Sequence, residues 1–246
     1  MFYVKISVQG EYMRKDRIHS EIPSGYYTKR LSNGCNGVCY LTDFNMVYKE
    51  YPCEYEYLRE LEYLSHHKSD FVAFPEEFIF LTKDGKSSLR GYLMKYIEGI
   101  TLDNLDEATK LREFICGLTA FEKEMLRLTT EGVIFTDLNQ QNLIYTPDGL
   151  IKAVDTDLYD ITSDDDFKRL YSENLKELAS TIISQFIGIR NFQNNRMNDL
   201  IRNCGAYGRI RSSHLLEGLT EEAQNETKEN IETIGEFRRT LQMLKK

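Results

Sequence analysis

The 246-residue sequence contains no hydrophobic run long enough to cross a membrane, and no basic segment followed by an apolar stretch stands near Met1. Because a membrane-spanning helix needs about 18 apolar residues, we expect a soluble, cytoplasmic protein without a membrane partner. Positive charge is also scarce, since 31 Lys and Arg face 39 Asp and Glu for a net charge of −8. That balance disfavours binding to a phosphate backbone, so nucleic acid is not an expected partner.

Cysteine is present but unsuited to cross-linking. The five cysteines are an odd number and include no C-x-x-C pair. No histidine stands at metal-ligand spacing from any pair of them, so the sequence favours neither a disulfide framework nor a zinc site. Internal repeats and low-complexity segments are lacking as well. With 41% hydrophobic and 28% charged residues, the composition is that of a globular protein with a buried core.

The first part of the chain is rich in predicted strands. Apolar and polar residues alternate over residues 1–9, which predicts a β-strand. Two short apolar runs in residues 38–49 predict a hairpin, and residues 78–97 predict a second hairpin. Leucines at helical spacing predict one helix over residues 52–66. Residues 1–98 are therefore expected to form one lobe, a sheet with a single helix.

Helical spacing dominates beyond residue 98. It predicts helices over residues 109–130 and 170–187. Thr220, followed by two glutamates, predicts the capped start of a last helix that continues through Leu244. The β-like segment 132–158 interrupts this pattern. We therefore expect an α+β fold in which residues 99–246 form a second, mostly helical lobe.

The β-like segment carries a group of oxygen-bearing side chains. Asp137 and Asn142 are five residues apart and precede a predicted hairpin, whose return strand leads to Asp155. A single Asp or Asn often does no more than cap a turn. The spacing of all three residues and their apolar flanks favour a functional cluster, and carboxylate and amide oxygens suit Mg²⁺ bound together with phosphate.

This arrangement resembles the catalytic loop and metal-binding strand of the protein-kinase superfamily, in which D-x-x-x-x-N is followed by a hairpin and an Asp-led triplet. The resemblance implies a bilobal kinase-like fold that binds ATP and Mg²⁺ and transfers the γ-phosphate to a hydroxyl group. It implies that Asp137 orients or deprotonates the acceptor hydroxyl. Asn142 and Asp155 would hold Mg²⁺.

The same resemblance extends to the phosphate-binding part of the first lobe. Residues 32–37, with Gly34 and Gly37, resemble the family's glycine-rich loop, although serine replaces its first glycine. Lys49 ends an apolar strand a dozen residues later, as the family's phosphate-binding lysine does. The resemblance therefore implies that Lys49 contacts the α and β phosphates.

The predicted helix and the second hairpin supply the remaining assignments. The resemblance implies a helix glutamate that pairs with Lys49, and Glu60 is better placed for this than Glu54. The segment 91–99 resembles the family's strand and hinge, which implies that Met94 and Ile97 border the adenine.

Four departures from the family pattern limit the functional assignment. Thr136 replaces the arginine before the catalytic aspartate, and Asn139 replaces a lysine that contacts the transferred phosphate. The metal-binding triplet ends in Asp157, for which a metal ligand, a cap and a solvated residue are alternatives. Only about fifteen residues separate Asp155 from the next predicted helix, so most of the activation segment is missing.

These departures leave several functions open. We favour a reduced, bacterial type of serine/threonine protein kinase acting on a protein substrate. A nucleotide-binding pseudokinase that serves as a regulatory module is an alternative, and a small-molecule hydroxyl kinase is another. Transfer of a different part of ATP, such as AMP, is the least favoured.

Overall fold

The computed structural model describes residues 18–19, 27–33, 37–52, 58–83, 86–163, 166–188 and 191–245. Its contacts divide the chain into two compact units. The first consists of Met1–Ile97 and Asp155–Asp157, and the second of Glu98–Val154 and Leu158–Lys246. The expected α+β class is confirmed. The boundary predicted after residue 98 lies next to the division at Ile97, but the assignment of Asp155–Asp157 to the first unit was not predicted.

The first unit contains a six-stranded sheet of order β1-β5-β6-β4-β3-β2. Its strands are β1 (Ile18–His19), β2 (Tyr27–Asn33), β3 (Val38–Thr42), β4 (Met46–Glu50), β5 (Pro75–Lys83) and β6 (Lys86–Lys95). All neighbouring strands are antiparallel except β1 and β5. The strand predicted over residues 1–9 lies outside the described residues.

Turn chemistry closes the β3–β4 hairpin. Asn45 has a φ of 59°, a left-handed conformation that asparagine tolerates better than most residues. The hydroxyl of Thr42 donates to the carbonyl of Met46 at 2.9 Å and accepts from the Met46 N–H at 3.1 Å. These bonds fix the register that brings Lys49 opposite Cys39.

A single described helix, α1 (Leu58–Leu64), belongs to the first unit. Leu61 and Leu64 are fully buried, which matches the spacing that predicted it. The prediction extended this helix over residues 52–66. Residues 53–57 lie outside the described part of the chain, and the helical assignment ends at Leu64.

The second unit is mostly helical. Its helices are α2 (Leu111–Thr130), α3 (Phe167–Phe186), α4 (Asn195–Ile201), α5 (Ser212–Thr227) and α6 (Ile234–Met243). Its short strands are β7 (Ile100–Thr101), β8 (Val133–Ile134), β9 (Leu143–Tyr145), β10 (Ile151–Ala153) and β11 (Asp160–Ile161). They form a sheet of order β10-β9-β7 and a separate β11–β8 pair. Among the described helices, none is both long and apolar enough to span a membrane.

The ends of α3 follow from local chemistry. The side chain of Asp166 caps its first turn by accepting from the Arg169 N–H at 3.1 Å. Gly188 has a φ of 70° and donates its N–H to the carbonyl of Ile183 at 2.8 Å, which terminates the helix.

The predicted start of the last helix, at Thr220, is wrong. Thr220 does not cap a helix but lies inside α5, where its hydroxyl donates to the carbonyl of Leu216 at 2.7 Å. The apolar stripe of α5 continues through this threonine, so the two glutamates after it were a misleading start signal. The actual cap of α6 is Thr233, which forms a reciprocal capping box with Glu236.

Candidate active site

Lys49 lies on β4 with β3 on one side and β6 on the other. The register places Cys39 and Tyr92 opposite it on the two neighbouring strands. Only 2% of Lys49 is exposed. A lysine is almost never buried to this extent without a negatively charged partner.

The partners of Lys49 come from a distant part of the sequence. Its Nζ donates to Oδ1 of Asp155 and, at 2.8 Å, to Oδ2 of Asp157. The hydroxyl of Tyr51 donates to the same oxygen of Asp157 at 3.1 Å. Between the two aspartates, Thr156 is fully buried and donates to the carbonyl of Ala73 at 3.3 Å. The segment Asp155–Asp157 is thus attached to the first unit by side chains from each of its three residues.

Burial and charge act in opposite directions on this cluster. Burial disfavours the ammonium of Lys49, but the carboxylates of Asp155 and Asp157 outweigh burial and raise the pKa of Lys49 above its ordinary value. Burial also raises the pKa of Asp157, an effect that the charge of Lys49 opposes. Lys49 is therefore a fixed cation at neutral pH.

The glycine-rich loop is only partly described. Gly34 lies outside the described residues. Gly37 is buried, and a Cβ there would lie 2.5 Å from the carbonyl oxygen of Glu50 on β4. Packing of the chain against β4 therefore requires glycine at this position, whether or not the loop binds phosphate.

The residues predicted on the helix and at the hinge are the next to be located in the structure. The structure does not bring Glu60 to Lys49, whose carboxylate partners among the described residues are Asp155 and Asp157. This is a correction to the predicted pairing: Asp157, which the helical spacing of α1 could not indicate, contacts the ammonium at 2.8 Å. Met94 is buried on β6 opposite Val47, and Ile97 is half-buried after the end of that strand.

The predicted catalytic loop is held together by two amide side chains. Asn139 donates its Nδ2 to Oδ1 of Asp137 at 2.9 Å. Asn142 donates its Nδ2 to Oδ2 and to the carbonyl oxygen of Asp137, both at 3.0 Å. The Oδ1 of Asn139 accepts from the N–H groups of Gln141 and Asn142. Each carboxylate oxygen of Asp137 thus has a fixed donor.

Helix α3 is hydrogen-bonded to this loop through several of its side chains. Thr181 donates to the carbonyl of Leu138, and Gln140 donates to Ser184 at 3.1 Å. At the start of the loop, the fully buried Asn174 accepts from the N–H of Phe135 at 2.8 Å. The backbone that carries Asp137 is therefore attached to a long helix at several points.

Both aspartates of the motif have a left-handed backbone. The φ angle is 58° at Asp137 and 62° at Asp155. Such angles are uncommon outside glycine, although Asp and Asn adopt them more readily than other residues. Strained backbone of this kind is concentrated at functional sites.

The residues predicted to hold Mg²⁺ have suitable oxygen donors. Asn142 uses its amide nitrogen for Asp137, and its Oδ1 accepts no hydrogen bond from any residue that the structure describes. Asp155 is 34% exposed, in contrast to 1% for Asp157. The described residues contain no cluster of three His, Cys, Asp or Glu side chains arranged as a metal site. Each side chain by itself offers the type of oxygen that Mg²⁺ takes, because that ion is usually held by one or two protein oxygens, substrate phosphates and water.

Sequence reasoning missed three parts of this arrangement. It considered Asp157 as a ligand, cap or solvated residue, whereas the structure pairs it with Lys49 and Tyr51. It treated Asn139 only as the replacement of a lysine, whereas the side chain of Asn139 donates a hydrogen bond to Asp137. Asn174 was not singled out, and an asparagine inside an apolar helix stripe was the signal available for finding it.

Comparison with known proteins adds no relative. No protein-family model matches the sequence, and no curated protein matches it either.

Proposed function

We propose that this protein is an ATP- and Mg²⁺-dependent phosphotransferase of the protein-kinase type, which transfers the γ-phosphate to a hydroxyl group. The expected acceptor is a serine or threonine of a protein. The observation that supports this most strongly is the contact between Lys49 and Asp155, which are 106 residues apart. The motif resemblance selected both residues independently, as the phosphate-binding cation and a metal ligand.

The proposal gives each residue a role that its surroundings support. Lys49 is a permanent cation and would contact the nucleotide phosphates. Asn142 and Asp155 would hold Mg²⁺, which neutralises charge on the phosphates when it is bound. Asp137 would accept a hydrogen bond from the acceptor hydroxyl and orient it. Phosphoryl transfer depends mainly on such positioning and charge neutralisation, so this small set is sufficient in principle.

The decisive experiment measures ATP binding and γ-phosphate transfer with the wild type, Asp137→Asn and Asp155→Asn. Asparagine keeps the shape of each side chain and tolerates the left-handed backbone. We expect Asp137→Asn to keep nucleotide binding, measured by thermal shift, and to lose transfer by about 10²–10⁴-fold. Asp155→Asn should lose Mg²⁺-dependent stabilisation as well as transfer. Unchanged transfer in Asp137→Asn would exclude the proposed role of this residue.

A nucleotide-binding pseudokinase is the second candidate. Asn139 at the position of a phosphate-contacting lysine favours it, because that replacement removes a positive charge from the transferred phosphate. Metal-dependent stabilisation by ATP without any transfer would support this candidate. Intact-mass measurement of the product would separate an added phosphoryl group from an added nucleotide.

A further inference from the structure

The side chain that holds Lys49 is the main feature that the family resemblance does not account for. The resemblance assigns this task to a glutamate of the first-unit helix. In the structure, Asp157 contacts Lys49 at 2.8 Å from a segment more than 100 residues away. Asp157 is 1% exposed and also accepts from the hydroxyl of Tyr51.

We propose that Asp157 is the positioning residue for Lys49 and takes the place of the helix glutamate. The functional part of this inference rests on the proposed function, because it concerns the lysine that would contact phosphate. The structural part does not, since it concerns only which carboxylate holds Lys49.

The two aspartates of the triplet differ in a way that divides their tasks. Asp155 is one-third exposed, so its carboxylate is accessible to a metal ion and phosphates. Asp157 is enclosed, and Tyr51 and Lys49 both donate to its Oδ2. The ring of Tyr51 also lies 5.9 Å from the Lys49 ammonium. Both carboxylates accept from Lys49, but the enclosed Asp157 serves the lysine and Tyr51, while the partly exposed Asp155 can also reach a ligand.

This arrangement couples Lys49 and Asp155 through a single short segment. Thr156 fixes that segment to the carbonyl of Ala73, so the lysine and the proposed metal ligand are placed together. Lys49 forms no ion pair with any described residue of α1, so we expect this segment to keep Lys49 in position if α1 is displaced.

A double-mutant cycle on unfolding tests the contact without requiring any activity. The variants are Lys49→Met, Asp157→Asn and the double variant, and a second cycle replaces Asp157→Asn with Glu60→Gln. We expect the first cycle to be non-additive by at least about threefold in the unfolding equilibrium constant, and the second to be additive. Coupling of Lys49 to Glu60, or additivity with Asp157, would overturn the proposal.

Tyr51→Phe provides a milder variant in case Asp157→Asn does not fold. It removes the hydroxyl that orients Asp157 and keeps the ring. We expect Lys49→Met and Tyr51→Phe to be non-additive in the unfolding equilibrium constant, because both remove a donor from the same oxygen of Asp157. Additivity of these two variants would contradict the proposed role of Asp157.

Kinetics then test the positioning role. We expect Asp157→Asn to lower kcat/KM for ATP by roughly tenfold to a hundredfold because it misplaces the lysine, with an unchanged dependence on Mg²⁺ concentration. Glu60→Gln should have a much smaller effect, and the exposed Glu76→Gln serves as a matched control for loss of a carboxylate. A strongly increased Mg²⁺ requirement in Asp157→Asn would make it a metal ligand and overturn the proposal. If the wild type neither binds ATP nor transfers phosphate, the proposed function fails, but the unfolding cycles still decide which carboxylate holds Lys49.

Discussion

The two units use opposite means to fix a side chain that was predicted to be functional. In the first unit, Lys49 is fixed by two carboxyl side chains in a buried environment. In the second unit, Asp137 is fixed by neutral amides, Asn139 and Asn142, and is only half-buried. The first arrangement depends on charges that are costly to separate. The second depends on hydrogen bonds, each of which contributes much less.

The largest expected effect comes from removing the cation of the first arrangement. Lys49→Met leaves two carboxylates in the cluster without their cation, and we expect a loss of about 3 kcal/mol in the free energy of unfolding. Asn142→Ala removes two hydrogen bonds from Asp137 and should cost about 1–2 kcal/mol. Urea denaturation measures both.

Lys95→Met is the matched control for that comparison. This lysine lies on β6, its side chain is 56% exposed, and its nearest carboxylate is 3.8 Å away. We expect a change below about 0.5 kcal/mol. An equal loss for Lys49→Met and Lys95→Met would contradict the contrast between the two units.

The second prediction concerns the hydrogen bonds by which the neutral side chain of Asn139 holds the loop around Asp137. Asn139→Lys introduces the lysine that the family pattern has at this position. Lysine cannot accept the hydrogen bonds from the N–H groups of Gln141 and Asn142. We expect phosphate transfer to fall by roughly tenfold because the loop around Asp137 loses its fixed geometry.

Gln140→Lys is the control for Asn139→Lys. It adds the same charge at the neighbouring residue, whose side chain donates to Ser184 and does not contact Asp137. A higher transfer rate in Asn139→Lys than in the wild type would show that the reaction is limited by the absence of a positive charge at this position, and that the hydrogen bonds of Asn139 are not required.

The smallest expected effect is a pH dependence in the second unit. Glu122 is a fully buried carboxylate of α2 that accepts from the N–H and hydroxyl of Ser213 at the start of α5. Burial raises its pKa in the folded state, although the bonds from Ser213 oppose this. The stability associated with protonated Glu122 is therefore fully present below the unfolded-state pKa and is lost as pH rises through the folded-state pKa.

Glu122→Gln should remove this pH dependence. The variant should gain stability relative to the wild type as the pH is raised from about 4 toward neutrality. Unfolding free energies at several pH values test this, with the exposed Glu113→Gln on the same helix as a control. A difference from the wild type that does not change with pH would contradict the argument.

Local spacing explains which parts of the site could be predicted. Asp137, Asn139 and Asn142 lie within six residues, so a motif was enough to place them near one another. The β3–β4 hairpin and the helix α2 were equally accessible, because turn residues and apolar periodicity identified them. Lys49 and Asp157 are 108 residues apart, and no local pattern specifies which of several carboxylates a buried lysine will contact.

The error at Thr220 has the same origin. A threonine followed by acidic residues is a local signal for a helix start, but the helix α5 was already buried through Leu215, Leu216 and Leu219 before it. Burial of a continuous apolar face determined the helix, and the local signal was overridden. The capping box at Thr233 was the signal that should have been preferred.

The left-handed backbone at Asp137 and Asp155 limits how this protein can diverge. At a φ near 60°, most side chains strain the backbone, while glycine, asparagine and aspartate do so least. A lineage that no longer needed the two carboxylates would therefore be expected to retain the fold most easily by acquiring Asn or Gly at these positions. Asn or Gly at both positions in a homologue would identify a lineage that kept this architecture without the two carboxylates.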